Sequence, residues 1–259
     1  MIPRATEGGL ILLRQRYRSA TVAWLNKRIE CRYREIDRIR LAAGPAAVAQ
    51  TLDPGARFAP TASSLNLQAA FGDDEQDVVL AVLADSFVGP LLRRALGARL
   101  VIDLDEVWVR RQYAPARYPA LHAPHGWHQD GALHFDFLAL GGADPPRDGL
   151  LNMLTCWIAL TPCGTNAPGL ELIAREVSEL LPPAALSDRF LRKRYPADAF
   201  TRPVLAAGDA LLFPGGTIHR THVTPCMQHD RTSLELRFMR ADSIPRRLQN
   251  DRFVTLDQD

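Results

Sequence analysis

Cysteine is scarce in this chain: four among 259 residues, with no Cys-x-x-Cys pair. That excludes a disulfide framework and a thiolate metal site. Cys31, Cys156, Cys163 and Cys226 read instead as reduced thiols of a cytoplasmic protein, used for buried packing. Long apolar runs are missing too, since none approaches the roughly 18–20 residues of a spanning helix. The stretch from Met1 to Glu7 lacks the basic-then-apolar pattern of a leader, and Leu10-Ile11-Leu12-Leu13 runs straight into Arg14. Excess charge is absent: 31 basic against 29 acidic residues leave +2. There is then no global electrostatic case for nucleic acid or a membrane surface as partner. No G-x-G-x-x-G and no alternation of strand and helix patterns occurs, which argues against a nucleotide-binding α/β fold. No internal repeat or low-complexity tract is visible.

What is present is an ordinary globular composition, 47% hydrophobic and 23% charged, in a chain long enough to bury a sizeable core. Leu10 to Leu41 reads as helix, with Leu13, Tyr17, Ala20 and Trp24, then Leu25, Ile29, Tyr33 and Ile36, at helical spacing. Its many arginines, interleaved with glutamates and Asp37, read as a solvated face. Gly44 to Ala70 is loop-like and suits a cover over a cleft. Asp73 to Leu96 suggests two helical pieces split at Gly89-Pro90, the second ended by Gly97. After Gly97 short strand candidates dominate: Arg99–Tyr113, Asn152–Leu160, Arg202–Leu205, Ala210–Phe213 and Thr232–Phe238, punctuated by Pro and Gly. The expectation is a mainly β protein with flanking helices (α+β), built on a jelly-roll or cupin-like barrel. A single domain spans 1–259. Residues 1–96 are its mostly helical part, packed on the barrel, and 97–242 form the core with a helical insertion at about 174–199. Residues 243–259 are a C-terminal tail.

The chemistry concentrates in Gly126-Trp127-His128-Gln129-Asp130-Gly131 and in Gly208-Asp209…Phe213-Pro214-Gly215-Gly216-Thr217-Ile218-His219. His128 and Asp130 are two residues apart, so on a strand they face one side. With His219 they make a 2-His-1-carboxylate set, which leaves positions open on a non-haem Fe(II). His-x-Asp alone is a weak signal, and His222 is the rival of His219. Arg231 follows His219 by twelve residues. Its planar fork suits the far carboxylate of 2-oxoglutarate, and Ser233, on the same strand face, adds a hydroxyl. Glu235 and Arg237 continue that face, while Leu234, Leu236 and Phe238 face a core. Arg237 is the alternative clamp.

These residues resemble the phytanoyl-CoA dioxygenase superfamily of Fe(II)/2-oxoglutarate oxygenases. The resemblance covers roughly Leu96 to Asp242. It rests on Trp127–Gly131, Trp157-Ile158-Ala159-Leu160, Pro168-Gly169-Leu170-Glu171, Gly208-Asp209…Phe213…His219 and Arg231. It implies a double-stranded β-helix with iron at its mouth, bound by His128, Asp130 and His219, and 2-oxoglutarate held by Arg231. It further implies Thr155 and Gln112 as contacts of the co-substrate. Asp130 fills the position that related halogenases leave small, so hydroxylation or a related oxidation is expected. Where many relatives carry Pro-Gly-Ser-His, this chain has Leu172-Ile173-Ala174-Arg175-Glu176, so no substrate is carried over.

The function expected is a dioxygenase using Fe(II), 2-oxoglutarate and O2. It would oxidise a C–H bond of a small polar molecule, such as an amino-acid derivative or natural-product intermediate, with release of succinate and CO2. Glu235, Arg237, His134 and Trp157 are its candidate substrate contacts, with His122 and His125 flanking the motif. No catalytic residue is expected beyond the metal site. The rivals are a cupin-type dioxygenase or isomerase that uses no 2-oxoglutarate, and a non-catalytic small-molecule-binding barrel. Oligomeric state is not legible.

Overall fold

A long ten-residue strand organises the molecule. In the computed structural model, which describes residues 9–52, 61, 63–84, 88–115, 124–132, 150–244 and 252–256, the strands number twelve in chain order. They are β1 (Ile11–Leu13), β2 (Ser64–Asn66), β3 (Leu100–Asp103), β4 (Trp108–Gln112), β5 (His128–Gln129), β6 (Met153–Ala159), β7 (Gly169–Ile173), β8 (Phe200–Thr201), β9 (Ala210–Pro214), β10 (Ile218–His222), β11 (Arg231–Arg240) and β12 (Phe253–Thr255). On one side β11 pairs along most of its length with β6; on the other it pairs first with β4 and then with β3. The larger sheet runs β1-β9-β6-β11-β3-β12, with β4 on β11 and β2 on β4, all antiparallel. The smaller sheet is β5-β10-β7-β8. Inner-face residues Trp157, Leu211 and Phe213 of the larger sheet pack on Leu170 and Leu172 of the smaller. This is the jelly-roll arrangement expected from the sequence.

The two faces of the larger sheet differ in chemistry. Its outer face (Val109, Cys156, Ile158, Leu212, Leu234, Leu236, Phe238) is hydrocarbon and is covered by the helices α1 (Ser19–Ala43), α3 (Leu67–Phe71), α4 (Glu75–Ala84) and α5 (Val88–Leu96). Leu25, Ile29, Tyr33 and Ile36 form the buried stripe of α1, and Tyr33 donates to the carbonyl of Val109 at 3.0 Å. Along β11 and at Thr155 the inner face is polar: Thr155, Arg231, Ser233, Glu235 and Arg237 are all buried. Period-2 alternation on β11 thus separates a helix-packed core from a functional interior.

Several local expectations change. The apolar run at Leu10–Leu13 is strand, and helix begins only at Ser19. The cause lies in Gln15, which turns with φ 45° and donates its backbone N–H to the buried Asp209 carboxylate. Trp24 is therefore not core; it is 39% exposed. The loop-like segment 44–70 contains α2 (Pro45–Leu52), β2 and most of α3. Gly89-Pro90 lies inside the first turn of α5, where proline is tolerated. Between 174 and 199 there is one seven-residue helix, Asp188–Arg194, flanked by 3-10 turns, so the insertion is less helical than its composition suggests. Residues 253–255 add a strand to the sheet edge. Cys156 and Cys163 are buried, but Cys31 and Cys226 are exposed.

Phe238 is fully buried between β11 and the helical layer. Phe238→Ala is expected to lower stability by about 3–5 kcal/mol, measured by urea denaturation at unchanged far-UV circular dichroism.

Candidate metal centre and co-substrate site

His128 lies on β5 and His219 opposite it on β10, as direct ladder partners. Their rings tilt together with centroids 4.1 Å apart. Each ring is aimed by its own chain: His128 Nδ1 meets the carbonyl of Gly126 at 2.8 Å, and His219 Nδ1 meets the carbonyl of Thr217 at 3.0 Å. A carbonyl only accepts, so Nδ1 carries the proton and the Nε2 lone pair of the neutral ring is free. Both Nε2 atoms face Asp130 Oδ1, at 3.7 and 3.8 Å. Ligand atoms of His128, Asp130 and His219 lie within 4.8 Å of one another. Among the described residues this is the one group of three or more His, Cys, Asp or Glu with such geometry. His222, the rival, is not part of it.

Asp130 opens the 3-10 turn after β5. A close backbone approach seats that turn: Gly131 N–H donates to the carbonyl of Gly215 at 2.8 Å. A Cβ on Gly215 would lie 3.0 Å from Gly131 Cα, so both positions need glycine for space. Thr155 on β6 donates its hydroxyl to Asp130 Oδ2 at 2.5 Å, and Arg237 Nη2 on β11 reaches Oδ1 at 3.0 Å. Burial alone would raise the Asp130 carboxyl. Arg237, the two imidazoles and the Thr155 hydroxyl outweigh it and hold the group well below the ordinary carboxylate range. The other end of Arg237 donates to the carbonyl of Glu106 at 2.8 Å.

Further along β11 the interior is set by Arg231. It is 1% exposed, its guanidinium lies 5.2 Å from the Trp157 ring centroid, and its Nε and Nη1 have no partner among the described residues. Burial works against its charge. An arginine in this state is a half-built anion site, because unmade hydrogen bonds on a buried cation are costly. Gln112 is its ladder neighbour on β4. Ser233 points its hydroxyl at Glu235 Oε1, 3.4 Å away. Glu235 is saturated: Trp157 Nε1 donates to Oε1 at 3.1 Å and Arg110 Nε to Oε2 at 2.9 Å, with Arg237 3.7 Å from Oε2. Burial raises the Glu235 carboxyl, but Arg110, Arg237 and Arg231 together bring it below its usual value.

Several of the expected contact residues meet protein groups. Thr155, expected at the co-substrate, holds Asp130. Arg237 and Glu235, expected at the substrate, use their polar atoms on other protein groups, because each sits between two charges of opposite sign. Trp157 backs Arg231. Trp127 faces away from the centre, donating to Asp188 at 3.3 Å beneath Arg220. His134 and His122 lie outside the described residues. His125, whose ring centroid lies 4.1 Å from that of His128 in a tilted arrangement, is expected only as a flanking residue, and Arg110 is not among the expected site residues. For Arg110 a signal existed. It shares strand parity with Gln112, whereas Arg111 has the opposite parity and pairs with Asp37 of α1 at 2.8 and 2.9 Å.

Two facing sheets with such a triad between them define a jelly-roll protein with a candidate metal site. The sequence profile of the family described as Phytanoyl-CoA dioxygenase (PhyH) matches residues 6–227, and the chain belongs to that family. No curated protein matches it by sequence. Among solved structures, EctD from S. alaskensis with bound Fe is similar with TM-score 0.60 at 16% identity, over 92% of this chain and 74% of that one. The non-heme alpha ketoglutarate dependent carbocyclase SnoK from nogalamycin biosynthesis has TM-score 0.55 at 14% identity, over 96% and 92%. The epimerase SnoN from the same biosynthesis has TM-score 0.51 at 16%, over 95% and 93%. These likenesses bear on the fold.

Arg237→Met leaves Asp130 buried without its cation and is expected to cost the metal-free protein about 3–5 kcal/mol. Thr155→Val should cost about 1–3 kcal/mol. The Asp130 carboxyl is depressed in the folded state, so its stabilisation is complete above the ordinary carboxylate range and fades as pH falls below it. The gap between wild type and Arg237→Met should accordingly be full at neutral pH and shrink in acid. Urea denaturation at a series of pH values measures it.

Proposed function

We propose that His128, Asp130 and His219 hold Fe(II), that Arg231 anchors the far carboxylate of 2-oxoglutarate, and that the enzyme oxidises a C–H bond of a small polar molecule. One observation carries this reading: two Nε2 atoms and a carboxylate converge in the same interior in which a buried arginine has unmet donors. The donor set suits the metal, since two imidazoles and one carboxylate leave positions free for co-substrates. When bound, iron with O2 and 2-oxoglutarate supplies the oxidising power, with succinate and CO2 as co-products.

The chain's own residues do the positioning. The carbonyls of Gly126 and Thr217 fix the tautomer and aim of the two imidazoles. Thr155 and Arg237 orient Asp130 and leave its oxygens little freedom to rotate. Arg231, rigid over Trp157, offers a planar pair of donors that a carboxylate matches at both oxygens. Gln112 and Ser233 border that position and take up supporting contacts with the co-substrate. No helix among the described residues is long and apolar enough to cross a membrane. A small-molecule substrate and a cytoplasmic setting complete the proposal, the latter supported by the free cysteines.

His128→Ala is expected to abolish succinate formation from 2-oxoglutarate in an assay with Fe(II) and ascorbate. Arg231→Gln should raise the 2-oxoglutarate concentration needed by roughly ten- to hundred-fold, the worth of charge-assisted hydrogen bonds. Wild-type turnover in His128→Ala would refute the metal assignment. An unchanged 2-oxoglutarate requirement in Arg231→Gln would refute the clamp.

A further inference from the structure

Arg231 is not the only arginine of the interior with donors to spare. Arg110 projects from β4 on the same face. Its Nε donates to Glu235 at 2.9 Å and its Nη1 to Ser64 of β2 at 2.8 Å. Its guanidinium lies 5.1 Å from the centroid of the Trp108 ring. A guanidinium has five N–H donors, and Nη2 of Arg110 has no partner among the described residues. Three contacts therefore hold the group still while part of its fork stays open. An immobilised arginine loses little further freedom when an oxyanion arrives.

Arg110 also differs from the other charged groups around it. Asp130 and Arg237 are spent on each other, and Glu235 accepts from Trp157, Ser233 and Arg110. Arg231 is open but sealed at 1% exposure, whereas the Arg110 side chain is 20% exposed, similar to the 25% of His128. The side chains of Arg110 and His128 are thus both partly accessible, whereas Arg231 is sealed. Glu235 lies between Arg110 and Arg237 and so links Arg110 to the cation that holds Asp130.

We infer that Arg110 is the anchor for an oxyanion on the substrate, so that the molecule oxidised is an acid and neither an amine nor a neutral hydrocarbon. This rests on the proposed oxygenase reading, in which Arg231 is committed to 2-oxoglutarate. Glu235 serves as a positioning residue that fixes the fork of Arg110 and makes no substrate contact. A planar carboxylate and a phosphate ester share the chemistry that this arginine recognises, and binding separates them.

The test is a titration of the anaerobic enzyme, saturated with Fe(II) and 2-oxoglutarate, with matched probes. N-acetylphenylalanine is set against its amide, and phenyl phosphate against phenol. Heat of binding and tryptophan fluorescence, to which Trp108 beneath Arg110 contributes, are the readouts. Wild type is expected to bind one acid about ten-fold or more tighter than its neutral partner, the worth of a charge-assisted pair. The acid preferred identifies carboxylate or phosphate. Arg110→Gln should lose the preference with 2-oxoglutarate affinity within about two-fold of wild type. Arg110→Lys should keep part of the preference, and Glu235→Gln, which leaves the cation in place, should keep most of it. Near-UV circular dichroism checks the fold of each variant. Equal binding of acids and neutral partners by wild type overturns the inference. So does a preference surviving in Arg110→Gln, or a loss of 2-oxoglutarate binding in that variant. An acid preference without any succinate formation would sink the oxygenase reading and leave the anchor standing. Succinate formation with no acid preference would do the reverse.

Discussion

The ion pair between Arg237 and Asp130 is the contact on which the interior depends. Asp130 belongs to the turn after the first strand of the smaller sheet, and Arg237 to the central strand of the larger one. Their 3.0 Å contact, with the 2.5 Å bond from Thr155, joins the two sheets at the point where the imidazoles converge. A carboxylate this deeply buried would be unstable as an anion without that cation. With it, the anion persists and stays directed at both Nε2 atoms.

The same pair explains why one face of β11 can be so polar. Arg231, Ser233, Glu235 and Arg237 are all buried, a costly arrangement for isolated charges. Along the interior they alternate in sign with their neighbours, from Arg110 to Glu235 to Arg237 to Asp130. The stability of the domain is supplied on the other side of the sheet, where Leu234, Leu236 and Phe238 meet the helices. Function and cohesion therefore occupy opposite faces of one strand, separated by the two-residue period of its backbone.

That period made much of the site legible in advance. Alternation at Arg231–Phe238 separated the polar and apolar faces, and His128 with Asp130 followed from spacing plus the downstream His219. What was not legible depends on long-range partners. Thr155 and Arg237 hold Asp130 only because β6 and β11 are adjacent, and no local pattern encodes that adjacency. The segment Trp108–Gln112 offered two neighbouring arginines, and only the register with β11 assigns Arg110 inward and Arg111 to Asp37. The early helix was misread for a similar reason. Leu10 to Leu13 suits either element, and pairing with β9 together with the turn at Gln15 decides for strand.

The carbonyls of Gly126 and Thr217 have a consequence for metal loading. Each candidate ligand is already oriented by a partner from the chain itself: a carbonyl for each imidazole, and Thr155 with Arg237 for the carboxylate. Small zinc domains gather their ligands only when the metal arrives, so that loading and folding are one event. Here the hydrogen bonds of the chain itself already set the ring tautomers and the carboxylate rotation that the proposed Fe(II) would meet.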